Sequence, residues 1–588
     1  MAWNLVKSDD RNLLSKFNEY DTFSIDLETT GLNPYDSRIL LAQIGFPDDT
    51  VYVLKWLEND MSFLRPYLED RKWLKLAHNA KFEAKFLKHF AGAEMRGIFD
   101  TFLAEQLLTA NVYSSLLTVA QKYTGVVLDK SVRTSFFEFR GTEFTVEQLD
   151  YAAQDAQILF PIWEAQKKRI EELNLGRVAE LEFDLVRVVA AMELEGVPID
   201  LDLWSSKLRD YERQHEESRL KMHEIIFDDN KVWEQTALFE RDSINLNSPK
   251  QILEAFHKIG IKTKATNERE LALIDHPAAR ELLNYRRLQK ILSAYGDTFT
   301  GAIHPFTQRI HADFQQIGTH TGRFSCKEPN MQQMPEEFRH CVTLVGRKIV
   351  VADYSQIELR ILAEISGDPA LTQAFDMGDD PHKATAAQMF NMPIEEVSKE
   401  QRFIAKTINF GLAYGMGYTK LMDMLNVTRD RDNQLSIEDS KSLLFRYKKI
   451  YKKAIEWLNY AGNAGFARDY SETMLGRRRY FVKPEPGPDY DREAASIRRQ
   501  AANSVIQGTN ADITKLAMID IYDELNMYGL RANIILQVHD EIVVLAHERS
   551  AETVKNVVEA SMINAAKTLL KSVPVKADAI VADIWKKD

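Results

Sequence analysis

Two kinds of hydrophobic pattern alternate along the chain. Short β-branched runs at 348–352 and 534–538 predict buried strands, whereas apolar residues at helical spacing in 180–195 and 357–365 predict helices. Charged amphipathic stretches with few strand signals fill roughly 201–300 and predict a mainly helical region. Because 588 residues exceed what one hydrophobic core holds, the chain should form two or more domains.

Two helix boundaries are marked by their own residues. The helical run at 180–195 ends at Gly196 and is followed by Pro198, which is a typical helix stop. We interpret this stretch as the junction between two domains. Further along, Ser248 is the predicted N-cap of another helix, and Pro249 is its first residue.

An acidic residue lies at the end of the strand predicted at 348–352. Asp353 is placed there to hold a cation against a substrate, and an amphipathic helix follows it. Two plainer interpretations are also open at this point. Ser355 and Glu358 fit a capping box, and Asp353 could be an ordinary acid at a strand end.

A second group of acids lies near the amino terminus. Asp26 and Glu28 are two residues apart in a predicted strand, so both carboxylates face the same side. Such a pair repels unless a cation or water lies between the two groups, and phosphodiester cleavage with two metal ions needs such an arrangement. Tyr151 and Asp155 are four residues apart and share one face of a predicted helix.

One helical stretch carries a stripe of cations and aromatic rings. Arg402, Lys406, Phe410 and Tyr414 recur every four residues, which places them along one drifting face. Two cations followed by two rings suit a nucleotide, with charge for the phosphates and rings for the sugar and base. An amphipathic helix with exposed basic residues is the alternative, but it does not explain why the aromatics continue the stripe.

A tight acidic turn lies between two apolar runs near the carboxyl end. The runs at 534–538 and 542–545 predict a β-hairpin that lifts Asp540 and Glu541 out of an apolar sheet. Acids in that position are costly unless a cation or water balances their charge.

The order of these motifs resembles DNA polymerase family A, the DNA polymerase I family. The stretch from Asp353 to Arg360 is similar to its motif A, the stretch from Arg402 to Gly415 to motif B, and Val538-His-Asp-Glu541 to motif C. The amino-terminal acids, together with the stretches 78–83 and 151–155, resemble the three motifs of a DnaQ-like 3′→5′ proofreading exonuclease in its tyrosine-bearing form. The resemblance implies a template-directed DNA polymerase that also excises nucleotides from the primer 3′ end.

The resemblance implies a role for each matched residue. The implied catalytic residues are Asp353, Asp540, Glu541, Lys406 and Tyr151. The implied metal ligands are Asp353 and Asp540 in one site and Asp26, Glu28, Glu83 and Asp155 in the other. The implied nucleotide contacts are His382, Arg402, Lys406, Phe410, Tyr414, Glu358 and Gln356. The implied DNA contacts are Arg323, Asn330, Gln332, Arg499, Asn503, Gln507 and His539. Each site should take two Mg²⁺ ions, with Mn²⁺ as a substitute.

One residue departs from the exonuclease pattern. The second motif ends in Asp in that family, whereas Glu83 stands at this position. Glutamate keeps the charge and reaches one methylene further, so we expect metal binding to survive with altered geometry.

The implied fold is multidomain, with α/β and α+β parts. An RNase H-like exonuclease domain at 1–185 should precede a right-hand polymerase domain at 186–588. Within the second domain we expect a thumb at about 200–305, a palm at about 306–365 and 480–588, and fingers at about 366–479.

Composition adds little to this interpretation. The net charge of −12 argues weakly against a nucleic-acid partner, but it averages over local basic clusters. The two cysteines, Cys326 and Cys341, cannot form a disulfide framework and suit a reducing compartment. The sequence contains no apolar run of about 18 residues, so no membrane span is predicted. We therefore expect a cytoplasmic protein, in the host cytoplasm if a phage encodes it.

Several alternatives for source and protein class are open from the sequence. Compact length and the absence of a preceding 5′ nuclease region favour a phage replicative enzyme, and a bacterial or organellar repair polymerase with a weak or inactive exonuclease is the alternative. A phage-type RNA polymerase, a pure exonuclease and a non-enzymatic DNA-binding protein are the rival classes. Primer–template DNA and dNTPs are the expected partners of a monomer, with a helicase, a primase or a single-strand-binding protein as possible partners.

Overall fold

The computed structural model describes most of the chain. The described residues are 3–110, 113–129, 131–141, 143–227, 244–376, 380–413, 415–427, 429 and 433–587. The predicted nucleotide contact Tyr414 lies outside them. Among the described helices, none is long and apolar enough to cross a lipid bilayer.

The amino-terminal unit is built on a mixed sheet. Its elements are β1 (Trp3–Leu5), α1 (Arg11–Glu19), β2 (Thr22–Thr29), β3 (Ile39–Gly45), β4 (Val51–Lys55), α2 (Arg65–Glu69), β5 (Leu74–Ala77), α3 (Lys81–Ala91), β6 (Ile98–Asp100), α4 (Thr101–Thr109), α5 (Leu116–Thr124), α6 (Arg133–Phe137), α7 (Val146–Gln157), α8 (Leu159–Glu172) and α9 (Gly176–Glu195). The strand order is β1-β4-β3-β2-β5-β6, with β2 antiparallel to β3 and parallel to β5. Apolar residues are buried on both faces, and α7 covers one face over Leu40, Leu41 and Val53. This arrangement is the α/β fold that the sequence predicts for the unit.

Helix α9 joins the amino-terminal unit to the rest of the chain. It packs on α3 at one side, and its buried residues belong to one continuous core that runs through both units. The helix ends at Gly196, which has a positive φ of 65°, as the sequence predicts. The predicted domain boundary between 185 and 186 lies inside this helix and stays a prediction.

The next unit is helical in its described part. Its elements are β7 (Val197–Pro198), α10 (Leu201–Phe227), α11 (Pro249–Lys258), α12 (Glu268–Ala272), α13 (Pro277–Tyr295) and α14 (Asp297–Thr300). Helix α10 packs along α13, and the unit has its own small core around Met222, Phe256 and Leu282. The side chain of Ser248 accepts a hydrogen bond from the Gln251 backbone at the start of α11, so the predicted N-cap is confirmed.

The carboxy-terminal unit surrounds an antiparallel sheet. Its elements are β8 (Arg309–Ile310), β9 (Asp313–Gln315), β10 (Ser325–Lys327), α15 (Glu336–Arg339), β11 (Arg347–Tyr354), α16 (Ile357–Ser366), α17 (Pro369–Asp376), α18 (Pro381–Phe390), α19 (Lys399–Ala413), α20 (Tyr418–Asn426), α21 (Ile437–Ile450), α22 (Lys452–Arg468), β12 (Tyr470–Glu472), β13 (Arg478–Tyr480), α23 (Tyr490–Met527), β14 (Ala532–Val538), β15 (Glu541–His547), α24 (Ala551–Lys567) and β16 (Ala577–Ala582). The main sheet has the order β14-β15-β11-β16, and β11 is antiparallel to both neighbours. Helix α24 packs on β11 and β16, and α23 packs on α24 and against β14.

Two predictions made for this unit are wrong in detail. Helix α16 has Gln356 as its N-cap, in a left-handed conformation with φ 56°, and no side chain caps it. Ser355 and Glu358 therefore do not form a capping box, and the carboxylate of Glu358 is bound by Arg323 instead. The predicted hairpin is present, but Glu541 is the first residue of β15 and is fully buried, so it is not lifted out of the sheet with Asp540.

Candidate active sites

The amino-terminal site is centred on β2, an inner strand of its sheet. Asp26 and Glu28 alternate with buried residues such as Ile25 and Leu27, so both acids face the same side of the strand. A ligand oxygen from each of Asp26, Glu28 and Asp155 lies within 4.8 Å of the other two. Asp155 comes from α7, so helix packing on the sheet assembles a site from residues far apart in sequence.

Tyr151 lies one helical turn before Asp155 on α7 and is buried. Burial and then the charge of Asp155 raise the pKa of its phenol, so this hydroxyl stays protonated. A protonated hydroxyl beside three carboxylates can orient a water molecule.

Glu83 lies in the first turn of α3 and outside the group of three acids. Its side chain is buried, and its Oε2 has no hydrogen-bond partner among the described residues. Burial and then the charge of Asp26 raise the pKa of Glu83 well above its usual range. Glu83 therefore lies close enough to Asp26 for the two carboxylates to repel each other.

Asp100 positions the start of α3 and was not singled out in the sequence. Its carboxylate accepts hydrogen bonds from the backbones of Asn79 and Ala80, at 2.9 and 2.8 Å, and it also caps α4. Burial raises its pKa to about 6 against the effect of those hydrogen bonds. A capping Asp before an apolar helix is a recognisable sequence signal, but its hydrogen bonds with the backbone of residues 79–80 depend on the tertiary fold.

The carboxy-terminal site is centred on β11, an inner strand of the antiparallel sheet. Asp353 lies near the end of β11, opposite Glu541 at the start of β15. Asp540 occupies the turn between β14 and β15, beside His539, whose φ is 60°. Burial and then the charge of Asp353 raise the pKa of Asp540 to about 7. The predicted acids of motifs A and C are therefore brought together.

A lysine and a tryptophan contact two of these acids. The Nζ of Lys587 lies 2.8 Å from Oδ2 of Asp353 and 2.9 Å from Oε2 of Glu541. The indole of Trp585 donates a hydrogen bond of 2.6 Å to the other Glu541 oxygen. Sequence reasoning missed both residues, because 234 positions separate Lys587 from Asp353 and no local pattern links them.

A cavity of about 300 Å³ adjoins Asp540. Its lining contains residues from all three predicted motifs, namely Gln356, Ile357, Glu358, Leu359, Phe410, His539 and Asp540, together with Arg323. Arg323 forms an ion pair with Glu358, which fixes that carboxylate at the cavity wall. The Oε1 of Gln356 is buried and has no hydrogen-bond partner among the described residues. Polar groups from distant parts of the chain thus converge on one concave space, as in a ligand-binding site.

Helix α19 presents part of the predicted stripe at this cavity. Lys406 and Phe410 are exposed on α19, and Ile404 and Ile408 on another face are buried. Arg402 is held by Asp380, with its Nε 2.5 Å from the carboxylate. Lys406 and Phe410 therefore point away from the buried face of α19.

His382 differs from a charged phosphate ligand. It is buried on α18, and its Nδ1 lies 2.9 Å from the amide nitrogen of Asn409. Burial lowers its pKa to about 4, so the imidazole is neutral near pH 7. Its ring centroid lies 5.5 Å from that of Phe410, and His382 is not part of the cavity lining.

The predicted DNA contacts come from α23 and from the segments around Arg323, Gln332 and His539. On α23, Arg499 is exposed, Asn503 and Gln507 are half-buried, and Oδ1 of Asn503 has no partner among the described residues. Arg499 packs on Gly415, whose positive φ and absent Cβ allow this approach. On the other side, Gln332 binds the Gln537 carbonyl at 3.2 Å, and both line a small cleft with Arg323 and His539. Asn330 instead caps the short turn at 331–333.

Comparison with protein-family models covers most of the chain. Residues 5–171 match the model described as 3′-5′ exonuclease, and residues 216–587 match the model described as DNA polymerase family A. The first match contains every predicted residue of the amino-terminal site, and the second contains every predicted residue of the carboxy-terminal site.

Individual relatives agree with the family-model matches. The chain is 31% identical to DNA polymerase I of Aquifex aeolicus, covering 96% of each chain. It is also 31% identical to DNA polymerase I of Pseudomonas aeruginosa over 97% of this chain, but spans only 64% of that relative. A solved structure of the POL domain of Pol1 from M. smegmatis, in complex with a DNA primer-template and dNTP, matches with a TM-score of 0.84 and 26% identity over 99% of each chain. The predicted phage-type source is not borne out, because these relatives are bacterial.

Proposed function

Because the chain belongs to DNA polymerase family A and carries a 3′-5′ exonuclease domain, we propose that its two acidic sites perform synthesis and excision separately. It is a DNA-directed DNA polymerase with the exonuclease-plus-polymerase architecture predicted from its sequence. The site around Asp353 and Asp540 is the proposed polymerase site. The site around Asp26, Glu28 and Asp155 is the proposed exonuclease site.

The carboxylates of both sites suit divalent metal ions. Magnesium prefers oxygen ligands, and three carboxylates within 4.8 Å in the exonuclease site are such a donor set. In the polymerase site, Asp353 has a buried Oδ1 without a hydrogen-bond partner among the described residues, near the half-buried Asp540. Metal ions bound there would activate the primer 3′-hydroxyl and stabilise charge on the departing pyrophosphate. We propose Mg²⁺ as the ion at both sites, held by these acids.

Residues of the cavity lining and of the helices α18 and α19 beside it divide the remaining tasks of synthesis. Lys406 and Arg402 provide positive charge for the triphosphate along α19. Phe410 provides a ring for the sugar, and Glu358, fixed by Arg323, limits the space at the 2′ position. His382, which is neutral near pH 7, supports Phe410 and adds no charge.

The exonuclease residues suggest how excision proceeds. Asp26, Glu28 and Asp155 would hold the metal ions against the 3′ end of the DNA strand, and the protonated Tyr151 would orient the attacking water. Glu83 adds a fourth acid near Asp26 and is expected to change the geometry rather than abolish activity.

The convergence of motifs A, B and C on one cavity is the observation that carries the proposal. A primer-extension assay with dNTPs, with rNTPs or with no nucleotide tests it. We expect extension with dNTPs, little with rNTPs and shortening without nucleotides. Extension with rNTPs alone would favour an RNA polymerase, and shortening under every condition would favour a pure exonuclease.

The partners proposed for this chain are primer–template DNA and dNTPs. The M. smegmatis structure, which holds both, supports this proposal through its similarity to this chain. A cytoplasmic location, a monomeric state, and a helicase, primase or single-strand-binding protein as a further partner stay predictions. The bacterial relatives favour a bacterial polymerase, the alternative weighed above, over a phage enzyme.

A further inference from the structure

The chain places its own cation in the polymerase site. Lys587 contacts Asp353 Oδ2 at 2.8 Å and Glu541 Oε2 at 2.9 Å, so one ammonium group bridges acids from two adjacent strands. The three carboxylates of Asp353, Asp540 and Glu541 would otherwise repel one another in a partly buried setting. Lys587 contacts one oxygen of the Asp353 carboxylate, and a divalent ion held by the other oxygen would lie close to the ammonium group and repel it, so metal binding weakens the contacts of Lys587.

The anchoring of this segment explains how Lys587 reaches the site. The Trp585 indole is fully buried and donates to Glu541, and its backbone nitrogen donates to the Val342 carbonyl at 3.1 Å. Arg339 lies over the same ring, with its guanidinium carbon 4.6 Å from the centroid. Trp585 is therefore held in place, and because it lies two positions before Lys587, it also restricts the position of the Lys587 backbone.

Lys587 itself is much less constrained than Trp585. Its side chain is 51% exposed, whereas that of Glu541 is fully buried. A long, flexible side chain with half its surface in water can leave the acids at small cost. Glu541 would keep its hydrogen bond from Trp585 when the lysine leaves, so its carboxylate would stay in place.

We propose that Lys587 is a built-in counter-ion that neutralises Asp353 and Glu541 in the metal-free polymerase site, and that divalent metal binding displaces it. The lysine then has two effects: it stabilises the site before metal binds, and it raises the metal concentration needed to fill the site. The proposal rests on Asp353 and Asp540 being metal ligands. Lys587 is a positioning residue here, since its proposed effect acts through those acids.

The test measures metal binding directly and without DNA. The parent protein carries Asp26→Ala and Glu28→Ala, so that calorimetric titration with Mn²⁺ reports the polymerase site. Lys587→Met should tighten Mn²⁺ binding about 3- to 10-fold, as expected for losing two partly exposed ion pairs. Lys586→Met removes the same charge from the same segment and should change the Kd less than twofold. Lys587→Arg should restore a Kd close to that of the parent.

A second measurement separates the counter-ion role from a role in the loaded enzyme. In EDTA, Lys587→Met should lower the melting temperature by about 1–3 °C, and saturating Mg²⁺ should remove the difference. Equal Mn²⁺ affinities for Lys587→Met and Lys586→Met would overturn the proposal, as would a loss of extension rate at saturating Mg²⁺ without a change in Kd. A parent that binds no Mn²⁺, or that binds it equally with Asp540→Asn, would instead overturn the metal assignment itself.

Discussion

The exonuclease and polymerase sites balance their acidic charge in different ways. In the exonuclease site, Glu83 is buried beside Asp26, and its pKa is raised well above the usual range by burial and that neighbour. In the polymerase site, the pKa of Asp540 is also raised, but Asp353 and Glu541 share the ammonium group of Lys587, which has no counterpart at Glu83 among the described residues. A carboxylate with a raised pKa is neutralised by binding a proton, whereas an ion-paired carboxylate is balanced by the positive charge of a neighbouring side chain. Buried acids thus need a balancing charge before any metal arrives, and the fold provides it by either route.

The largest expected effect is the loss of excision in a variant of the exonuclease site. Replacing Asp26 and Glu28 together by alanine removes two of the three clustered carboxylates. Because metal ligands contribute several kcal/mol to the transition state, excision should fall by about a thousandfold or more. Shortening of a 5′-labelled primer without nucleotides measures it. Extension should stay within twofold of the wild type, and a parallel loss of extension would show that the two sites are coupled.

The next effect concerns chain terminators and Phe410. Its ring lines the cavity beside Asp540 and carries no hydroxyl to replace a missing sugar 3′-hydroxyl. An unsatisfied buried polar group costs about 1–3 kcal/mol, so the enzyme should discriminate against ddNTPs by roughly 5- to 150-fold. Phe410→Tyr should largely remove that bias. The measurement is the ratio of kcat/KM for dTTP over ddTTP in the exonuclease-deficient background.

Phe403 provides a matched control for this experiment. It lies on the same helix and has the same exposed fraction as Phe410, 41%, but it does not line the cavity. Phe403→Tyr should leave the ratio unchanged. A wild-type ratio near one, or an equal effect of both substitutions, would show that Phe410 does not face the sugar.

A smaller effect is expected for ribonucleotide exclusion by Glu358. Arg323 holds its carboxylate at the cavity wall, so a 2′-hydroxyl would meet a fixed group. Relieving such a clash should increase the rate of ribonucleotide incorporation about 5- to 30-fold. Glu358→Ala should therefore raise rNTP use relative to dNTP use by that factor. Glu358→Gln keeps the size and should keep the exclusion. Competing kcat/KM values for dCTP and CTP measure the ratio, and no change in the alanine variant would contradict the steric role.

The smallest effect is a pH dependence of stability without metal. Asp540 has a pKa of about 7 in the folded chain, mainly because of burial and then Asp353, against 3.8 ordinarily. The folded state therefore binds this proton more tightly, and the stability it contributes is present below pH 4 and lost as the pH rises through about 7. In EDTA, Asp540→Asn should melt about 1–3 °C above the wild type at pH 8, and this difference should shrink as the pH falls from 7 toward 4. A difference that does not depend on pH would contradict the raised pKa.

Much of the fold could be predicted from local patterns. The strand and helix around Asp353, the hairpin at Asp540 and the ends of α9 and α11 follow from periodicity, glycine and proline. The capping box at Ser355 failed because Arg323, 35 residues before Glu358, competes for its carboxylate. The prediction used only neighbours in sequence, and a tertiary ion pair overrode them.

Sequence motifs indicated which acids belong to the candidate sites, but they did not indicate how the charge of those acids is balanced. Resemblance to the family motifs was needed to group the acids, whereas the contact of Lys587 depends on how β16 and the segment after it return beside β11. The neutrality of His382 depends on burial, which a lone histidine in a sequence does not indicate. Charge balance in both sites is therefore a property of the packed molecule.

The most direct test of two separate acidic sites is a paired assay of Asp540→Asn on one 5′-labelled primer–template. Asp578→Asn is the matched control, because Asp578 lies opposite Asp353 in the same sheet but is exposed and pairs with Lys576. With dNTPs and Mg²⁺, Asp540→Asn should reduce extension by about a thousandfold, and without nucleotides its excision should stay within twofold of the wild type. The control should change neither activity by more than about twofold. Near-normal extension by Asp540→Asn in Mg²⁺, or an equal loss of excision, would contradict the assignment of synthesis to this site.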